Sequence, residues 1–336
     1  MMREREVMHR VTVAICTWNR AKLLDQTLTR MRQLRIPADL EWELLIVNNN
    51  CSDDTDAVIA RHHGALPIRR LFEPRQGKSH ACNLAVAAAR GELMIWTDDD
   101  VLVDPDWIAT YSEAAARWPD AGYFGGTIQL WFECAPPQWF LDNKYLEAMV
   151  AARDLGPEER YLSETENPFG ANMAIRTELL KENSFDPNLG PRENNNIRGE
   201  ESALIGTLRS RGIRGVWVPG ARLQHFVVKR RLTRAYLWEF YRGAGRTEAR
   251  LYPTLEVGKR WGGVPRWLLR GAVEAWLAAG WKRLWSRSQW VPAYTRAAFC
   301  FGMIAEARHA ARNGRPAQPG RSPEPRGQRE RTTAVS

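Results

Sequence analysis

Short apolar runs alternate with helix-like segments through roughly the first 130 residues, and this alternation limits the possible folds more than any other feature. Runs rich in β-branched and other apolar residues predict buried strands at 11–16, 43–47, 68–72 and 93–96. Gly91 is predicted to end the helix before the fourth strand in the left-handed conformation. Strands and helices in this order form βαβ units, so we predict an α/β fold with a mostly parallel central sheet flanked by helices.

Polar loops follow all four predicted strands, at 17–20, 48–50, 74–78 and 98–100. Ligands of open α/β sheets bind at the carboxyl ends of the strands, so these loops are expected to meet around one ligand. Hydrogen-bonding side chains suit a base and a ribose, basic side chains suit a diphosphate, and carboxylates suit a divalent cation. Together the four loops predict a nucleotide-binding site.

The acidic run Asp98-Asp99-Asp100 follows the fourth strand directly. Side chains alternate along an extended chain, so Asp98 and Asp100 point to the same side. Three close carboxylates repel one another unless a cation neutralises them, and their hard oxygen ligands suit Mg²⁺ or Mn²⁺. We therefore predict a metal- and nucleotide-binding site here, and a solvated acidic loop is the alternative interpretation.

Several classes of protein are disfavoured by the sequence. No glycine-rich GxGxxG follows the first strand and no P-loop motif occurs, which disfavours a dinucleotide-binding Rossmann domain and a P-loop NTPase. The five cysteines are scattered without CxxC spacing, which argues against a disulfide framework or a zinc site and for a reducing cytosol. A charged start and the lack of a long uncharged apolar stretch predict neither a signal peptide nor a membrane span, so we expect a cytoplasmic protein.

Five segments of the chain resemble family 2 glycosyltransferases, which have the A-type nucleotide-diphospho-sugar transferase fold. The segments are VAICTWNRAKLLDQTL, LLIVNNNCSDDT, RQGKSHACNLAVAAARGELMIWTDDDV, NPFGANMAIR and RGEESALIGTLRSRGIRGVWVPGARLQHF, which cover 11–228 in the family's order. The resemblance implies that a sugar is transferred, with inversion, from a nucleotide-sugar donor to an acceptor hydroxyl. Mg²⁺ or Mn²⁺ would be the cofactor, and the acceptor would be a glycan, a lipid-linked molecule or a small molecule.

The resemblance implies donor-binding roles for residues at the strand tips and on the third helix. These residues are Thr17, Asn19, Arg20, Asn48, Lys78, Asn83, Asp98 and Asp99. Asp98 corresponds to the first acid of the family's DXD motif, near the ribose, Asp100 to the last, a metal ligand, and Asp99 to the variable middle. Asn48 stands where the family usually has an Asp that accepts a hydrogen bond from the base, so no preference for uracil follows. Lys78 or Arg231 would stabilise the charge of the leaving diphosphate.

Catalytic roles are implied for Glu200 and Glu201. The segment Gly199-Glu200-Glu201 matches the family's G-E-D box, with Glu201 in place of the catalytic Asp, although acids at a helix N-terminus also suit the macrodipole. His225 lies where the family often has a histidine near the metal or the diphosphate. Asn172 lies in a segment that lines the acceptor side. For both residues a structural role is the alternative.

The resemblance also divides the chain. We expect a catalytic domain at 1–231, with a donor half at 10–130 and an acceptor half at 131–231, followed by a helical extension at 232–312. The end of the chain, 313–336, is rich in Pro, Gly and Arg and nearly lacks apolar residues, so we expect it to be disordered.

The extension combines tryptophan with positive charge. The formal net charge of +9 is concentrated from Lys229 onward, and tryptophans alternate with Arg and Lys between Trp238 and Trp290. Such helices predict peripheral contact with an anionic membrane, at its inner face. The alternative is that the tryptophans serve only for packing within the protein. Nucleic acid is not expected as a partner, because the first part of the chain is acidic.

Three alternative functions remain at this point. A family member that binds nucleotide-sugars but is catalytically impaired would be consistent with Asn48 and Glu201, both of which depart from the family pattern. A sugar-nucleotide pyrophosphorylase is also α/β and metal-dependent, but would have a glycine-rich basic loop after the first strand. A processive polysaccharide synthase would have Q-x-x-R-W and membrane spans, whereas Val257 precedes Arg260-Trp261 here.

Overall fold

The computed structural model describes residues 10–190, 199–251 and 258–313. In these ranges the strands are β1 (Arg10–Thr17), β2 (Glu41–Asn48), β3 (Ile68–Phe72), β4 (Leu93–Thr97), β5 (Val101–Val103), β6 (Ala121–Phe132), β7 (Arg160–Tyr161), β8 (Asn172–Arg176), β9 (Arg214–Val227), β10 (Arg260–Trp261) and β11 (Val264–Pro265). The α-helices are α1 (Ala21–Met31), α2 (Thr55–His62), α3 (Lys78–Ala88), α4 (Trp107–Arg117), α5 (Gln138–Leu141), α6 (Thr177–Glu182), α7 (Glu200–Ser210), α8 (Arg234–Leu251), α9 (Arg266–Trp285) and α10 (Val291–Asn313). Short 3-10 helices lie at Lys144–Val150 and Lys229–Leu232.

A central mixed sheet contains β1 to β9. Its strand order is β3-β2-β1-β4-β8-β6-β9-β5, and β7 pairs with β9 outside this path. The strands β3, β2, β1 and β4 are parallel to their neighbours in that series, whereas β8 runs antiparallel to both β4 and β6. The predicted α/β class is confirmed, and the parallel strands of the first half bring their carboxyl ends to one edge.

The sheet is covered on both faces, and β1 illustrates how the sequence achieves this. Val13 and Ile15 belong to the core on one face, whereas Ala14 belongs to the core on the other. Because successive side chains of a strand point to opposite faces, a strand buried on both sides needs a continuous apolar run. Leu24 of α1 packs in the first core and Ala85 of α3 in the second, so the helices between strands supply the covering layers.

The four predicted strands correspond to β1–β4, which extend up to two residues beyond the predicted ends. The prediction for Gly91 was wrong. The helix α3 already ends at Ala88, and Ala89 has an extended conformation. Gly91 is instead required by close packing, because a Cβ atom there would lie 2.4 Å from the backbone nitrogen of Thr12 on β1.

The antiparallel strand β8 joins the two halves of the chain. It lies between β4 and β6, with Asn172 opposite Thr97 on one side and Met173 opposite Gly125 on the other. The predicted donor and acceptor halves therefore contribute to one sheet, and the boundaries between them stay predictions.

The chain after β9 is mainly helical, as the periodicity predicts. The helices α8, α9 and α10 pack together, and Leu268 and Met303 belong to their shared core. No helix in the described ranges is both long and apolar enough to cross a bilayer. The predicted disordered tail at 313–336 lies outside the described residues, apart from Asn313 at the end of α10.

Candidate active site

The tips of β1 and β4 are joined through Asp99. Thr17 Oγ1 donates a hydrogen bond to Asp99 Oδ2 at 2.7 Å, and Arg20 Nη1 donates to Asp99 Oδ1 at 2.6 Å. Asp99 is nearly fully buried, and burial raises its pKa against the opposing positive charge of Arg20. The middle residue of the acidic run, expected to be variable, is therefore tied to two other predicted donor-site residues.

The main chain of the acidic run is fixed by a threonine that the sequence did not single out. Thr27 Oγ1 on α1 lies 3.0 Å from the carbonyl oxygens of both Asp99 and Val101. Thr27 is buried, so this contact is protected from water. Its position on the apolar face of an amphipathic helix gave no signal of this role, because the partner strand is distant in sequence.

Asp100 is surrounded by cationic and imidazole groups. Arg20 Nη1 lies 3.0 Å from Asp100 Oδ2, Arg231 Nη2 lies 3.3 Å from the same oxygen, and His225 Nε2 lies 3.3 Å from Asp100 Oδ1. Burial disfavours the ionised form, but His225 and Arg20 hold the pKa of Asp100 well below its usual range. Asp100 therefore presents a buried carboxylate.

Asp98, Asp100 and His225 form a cluster that fits a divalent cation. Each offers one ligand atom, and these atoms all lie within 4.8 Å of one another. Asp100 Oδ1 is buried, and in the described part of the chain its polar neighbour is the His225 imidazole at 3.3 Å, so this oxygen and the imidazole face the same space. Two carboxylates and an imidazole are ligands that Mn²⁺ accepts, and Mg²⁺ favours the carboxylates. The structure thus brings together the two predicted metal ligands, Asp100 and His225, and one predicted donor-binding residue, Asp98.

Lys78 links the acidic run to the N-terminus of α7. Its Nζ atom donates to Glu201 Oε1 at 2.7 Å and lies 3.5 Å from Asp98 Oδ1 and 3.7 Å from Glu200 Oε1. Burial opposes the charge on Lys78, yet the surrounding carboxylates, Asp98 foremost, raise its pKa well above the usual value. One ammonium group thus holds residues from β4 and α7 together.

The two glutamates of α7 differ in accessibility. The side chain of Glu200 is 4% exposed, whereas that of Glu201 is 24% exposed. Gly170 approaches Glu201 so closely that a Cβ atom there would lie 1.9 Å from Glu201 Oε1. Gly170 was not among the residues singled out from the sequence, because the distance between 170 and 201 along the chain hides the contact.

Asn19 and Asn48 organise the loops around the first two strand tips. Asn19 has a left-handed backbone, with φ of 53°, and its Oδ1 accepts a hydrogen bond from the Ser52 backbone N–H at 2.8 Å. Asn48 Nδ2 donates to Asp56 Oδ1 at 2.8 Å, and Asn48 Oδ1 accepts from the Cys51 backbone N–H at 2.8 Å. Asn48 thus uses both its donor and its acceptor within the protein.

Asn83 and Asn172 lie apart from the group around Lys78. The Asn83 amide exchanges hydrogen bonds with the backbone of Phe185 at 2.8 and 2.9 Å. Asn172 is fully buried, and its Oδ1 accepts from Trp107 Nε1 at 2.8 Å and from the Tyr111 hydroxyl at 2.9 Å. The structure does not bring these two side chains to the metal cluster, and their predicted donor and acceptor roles stay predictions.

Part of this site lies in a segment that matches a known protein family. A sequence model described as Glycosyl transferase family 2 matches residues 12–154. The matched segment includes β1 to β4, Lys78 and the acidic run. Residues 12–154 therefore form a family 2 glycosyltransferase domain. Glu201 and His225 lie beyond the matched residues, so their proposed roles depend on the contacts described above.

Two curated relatives are identical to this chain at about a fifth of the aligned positions. The glucosyl-dolichyl phosphate glucuronosyltransferase of Haloferax volcanii is 22% identical over an alignment of 228 residues that covers 64% of this chain and 69% of that protein. The succinoglycan biosynthesis protein ExoM of Rhizobium meliloti is 22% identical over an alignment of 148 residues that covers 38% of this chain and 47% of that protein.

Solved structures support the same fold. The mannosyltransferase PcManGT from Pyrobaculum calidifontis, determined in complex with GDP-Man and Mn²⁺, superposes with a TM-score of 0.56 at 20% identity. The match covers 91% of this chain and 88% of the mannosyltransferase. The chain therefore has the A-type glycosyltransferase fold, as the resemblance implied.

Proposed function

We propose that this protein transfers a sugar from a nucleotide-diphospho-sugar to an acceptor hydroxyl, with inversion at the anomeric carbon and dependence on a divalent cation. The observation that carries the proposal is the bridge from Lys78 to both Asp98 and Glu201. It brings the acid expected beside the donor ribose within reach of the candidate base, as a single displacement at the sugar requires.

We assign the base to Glu201 rather than to Glu200. A general base must reach the proton that it removes, and the more exposed carboxylate of Glu201 meets that requirement better than the buried Glu200. Lys78 would act as a positioning residue, since its hydrogen bond fixes Glu201 Oε1. Glu200 would contribute negative charge that keeps Lys78 in place.

In the proposed reaction the acceptor oxygen attacks the anomeric carbon as Glu201 takes up the hydroxyl proton. The new bond forms on the face opposite the leaving group, and the bond from the anomeric carbon to the diphosphate oxygen breaks. The electron pair of that bond leaves with the nucleoside diphosphate. Lys78 and Arg231 lie close enough to the acidic run to compensate the charge that develops on the diphosphate.

Asp100, Asp98 and His225 would hold the divalent cation, which supplies charge stabilisation to the leaving diphosphate when bound. Arg20 and Thr17 would keep the neighbouring Asp99 oriented, so that the run retains its shape. The Mn²⁺ in the PcManGT complex supports Mn²⁺ as the natural choice, with Mg²⁺ as the alternative.

For the acceptor we propose a lipid-linked molecule, reached at the inner face of an anionic membrane. The curated relative that is named glucosyl-dolichyl phosphate glucuronosyltransferase supports this choice over a free glycan or a small molecule. The basic, tryptophan-rich helices after β9 support a peripheral contact with such a membrane.

A donor screen tests the proposed reaction. Purified protein is incubated with UDP-, GDP- and dTDP-sugars, with Mn²⁺, with Mg²⁺ or with EDTA, and release of the nucleoside diphosphate is measured. We expect cation-dependent release from at least one donor. Binding of a nucleotide-sugar with no turnover for any acceptor would favour a catalytically impaired binding protein. Exchange of pyrophosphate into the donor would favour a pyrophosphorylase.

The base is tested on the donor that the screen identifies. Glu201→Gln should lower turnover by about 10²–10⁴-fold while donor affinity is retained. Glu200→Gln is the matched comparison on the same helix turn and should affect turnover less. Wild-type turnover in Glu201→Gln would show that the base has been wrongly assigned, whatever the donor.

A further inference from the structure

Helix α9 is apolar on two opposite sides, and the described residues of the protein cover only one of them. Leu268, Ala272, Ala275 and Ala279 are spaced at helical intervals and are buried against the rest of the extension. At 100° per residue, the opposite side carries Val273, Leu277, Trp281 and Leu284. An apolar side of a helix normally packs against other elements, but this second side has no cover in the described part of the chain.

The uncovered side forms a continuous apolar surface, which we call the α9 stripe and define as Val273, Leu277, Trp281 and Leu284. All four side chains are exposed, Leu277 by 65%, Trp281 by 66% and Leu284 by 74%. Trp285 extends the stripe at its C-terminal end and is 75% exposed. Single exposed apolar residues are common on protein surfaces, but a contiguous row of large ones indicates an interaction site.

The stripe leads into a cavity at the C-terminal end of α9 with a volume of about 430 Å³. Aromatic, aliphatic and basic side chains dominate its lining, which consists of Trp139, Arg234, Arg283, Leu284, Trp285, Ser286, Arg287 and Trp290. Leu284 belongs to both the stripe and the cavity lining, and Trp285, which extends the stripe, also lines the cavity. The apolar surface and the cavity are therefore continuous. A long apolar ligand on the stripe could place a polar end group in the cavity.

The charge of the cavity selects an anion. Three guanidinium groups line it, those of Arg234, Arg283 and Arg287, and no carboxylate is among the lining residues. The guanidinium of Arg283 lies 5.9 Å from the ring centroid of Trp290. Among the described residues, no carboxylate forms an ion pair with any of these three arginines. Arginine forks match the geometry of phosphate oxygens, and Trp side chains favour the boundary between water and lipid.

We propose that the α9 stripe and this cavity form a docking surface for an anionic membrane, with the phosphate of a lipid headgroup bound between Arg283 and Arg287. The inference rests on the proposed membrane contact and names the site of that contact. The helix would lie in the plane of the interface, with the stripe facing the acyl chains and the arginines at the level of the phosphates.

A second copy of the chain fits this surface less well. Both ends of α9 are basic, with Arg266 at the start and Lys282 and Arg283 at the end. Two such helices would bring like charges together whether they packed parallel or antiparallel, which opposes association. An anionic bilayer complements both ends at once.

Vesicle flotation tests the proposal with the full chain. Vesicles of phosphatidylcholine with 30% phosphatidylglycerol, chosen here at roughly the anionic content of a charged leaflet, are compared with pure phosphatidylcholine. We expect binding to the anionic vesicles. Arg283→Ala/Arg287→Ala should lower the partition coefficient by about 25-fold, since each basic side chain near the surface contributes about fivefold. Leu277→Ser/Trp281→Ser should abolish flotation, because it removes the apolar contact.

The matched control is Arg32→Ala/Lys181→Ala, which removes the same charge from exposed positions outside the extension and should change partitioning less than about twofold. Far-UV circular dichroism and thermal melting report whether each variant is folded. Wild-type flotation that is unaffected by both extension variants would overturn the site. No flotation, with concentration-dependent dimers that Trp281→Ser dissociates, would assign the surface to a second copy and overturn the membrane contact.

Two further measurements distinguish failure of the lipid assignment from failure of the proposed transfer reaction. Saturable binding of inorganic phosphate in calorimetry without vesicle binding would overturn the lipid assignment. Glu201→Gln should bind vesicles as the wild-type protein does, so loss of the proposed transfer reaction and loss of the proposed docking surface are measured independently.

Discussion

Lys78 Nζ lies 2.7 Å from Glu201 Oε1, although the two residues are 123 positions apart in the chain. The contact joins the N-terminus of α3 to the N-terminus of α7 across the edge where β4 ends. It gives the candidate base a fixed position relative to the acidic run. The predictions that follow test this arrangement and the parts of the fold that support it.

Gly170→Ala should damage the site with little effect on the fold. Its added Cβ atom would lie 1.9 Å from Glu201 Oε1, so the carboxylate must move. We expect turnover to fall about 10²-fold, the effect typical of a displacement of about 1 Å, in steady-state assays with saturating donor. Gly206→Ala on α7 is the matched control, since nothing lies within 4 Å of its added Cβ. It should keep full activity and gain about 0.5–1 kcal/mol of stability. Equal activity in both variants would contradict the assigned position of Glu201.

Asp100→Ala should remove cation-dependent binding of the nucleoside diphosphate. Asp100 supplies the buried carboxylate of the cluster, and even residues that only support metal ligands typically contribute 10–100-fold to affinity. We expect the affinity in the presence of Mn²⁺ to fall by more than about 100-fold in isothermal titration calorimetry. Asp39→Ala, which removes an exposed carboxylate, should leave it unchanged. An intact Mn²⁺ response in Asp100→Ala would remove this residue from the metal site.

Asn172→Ala separates a structural role from the predicted acceptor role. The substitution leaves buried Trp107 Nε1 without its acceptor and removes the donor to the buried carbonyls of Thr127 and Ala221. The Tyr111 hydroxyl keeps the backbone carbonyl of residue 172 as an acceptor. We expect a loss of about 2–5 kcal/mol in the free energy of unfolding, measured by urea denaturation. Asn183→Ala, which removes one partly buried hydrogen bond, should cost less than about 1.5 kcal/mol. Unchanged stability with a raised KM for the acceptor would instead favour contact with the acceptor.

Glu43 makes the stability of the sheet depend on pH. Burial opposes ionisation of Glu43, but Arg69, the Arg90 backbone N–H and the Thr12 hydroxyl together hold its pKa below the usual value. A depressed folded-state pKa contributes stability above the unfolded-state pKa of about 4.3, and that stability is lost as the pH falls through the folded-state pKa.

Glu43→Gln should therefore lower the free energy of unfolding by about 1–2 kcal/mol at pH 7, and the difference should shrink as the pH falls below about 4.3. Thermal melts at a series of pH values measure this. Glu41→Gln on the same strand is the control, since its exposed pair with Arg10 should contribute at most about 1 kcal/mol. If the difference in the free energy of unfolding between Glu43→Gln and the wild type did not vary with pH, Glu43 would not be ionised in the folded protein as assigned.

The strand tips could be predicted from the sequence because their signal is local. A continuous apolar run followed by Asp98-Asp99-Asp100 fixes both the strand and the loop that leaves it. The contact between Lys78 and Glu201 could not be predicted in the same way. The pattern of α7 indicates a helix and its starting acids, but the position of that helix depends on packing against α3 and β8, which involves residues far apart in sequence.

Other features were hidden for related reasons. In the sequence, Thr27 is simply one residue of an amphipathic helix. Its role in holding the acidic run is visible only where its hydroxyl meets the backbone carbonyls of Asp99 and Val101. Gly91 was assigned a left-handed backbone from its place after a helix, whereas its requirement is close contact with Thr12. A sequence does not distinguish a glycine that is required because a Cβ atom would clash from one that is required because the backbone has a positive φ.

The place of β8 in the sheet has a consequence for how the chain is made. β4 pairs with β1 on one side and with β8 on the other, and β8 ends only at Arg176. A nascent chain on the ribosome therefore carries β4 as an open edge until Arg176 has left the exit tunnel, and open apolar edges recruit other strands. The first half of the chain consequently needs shielding during synthesis, and fragments that stop before residue 172 should aggregate rather than accumulate in the cell.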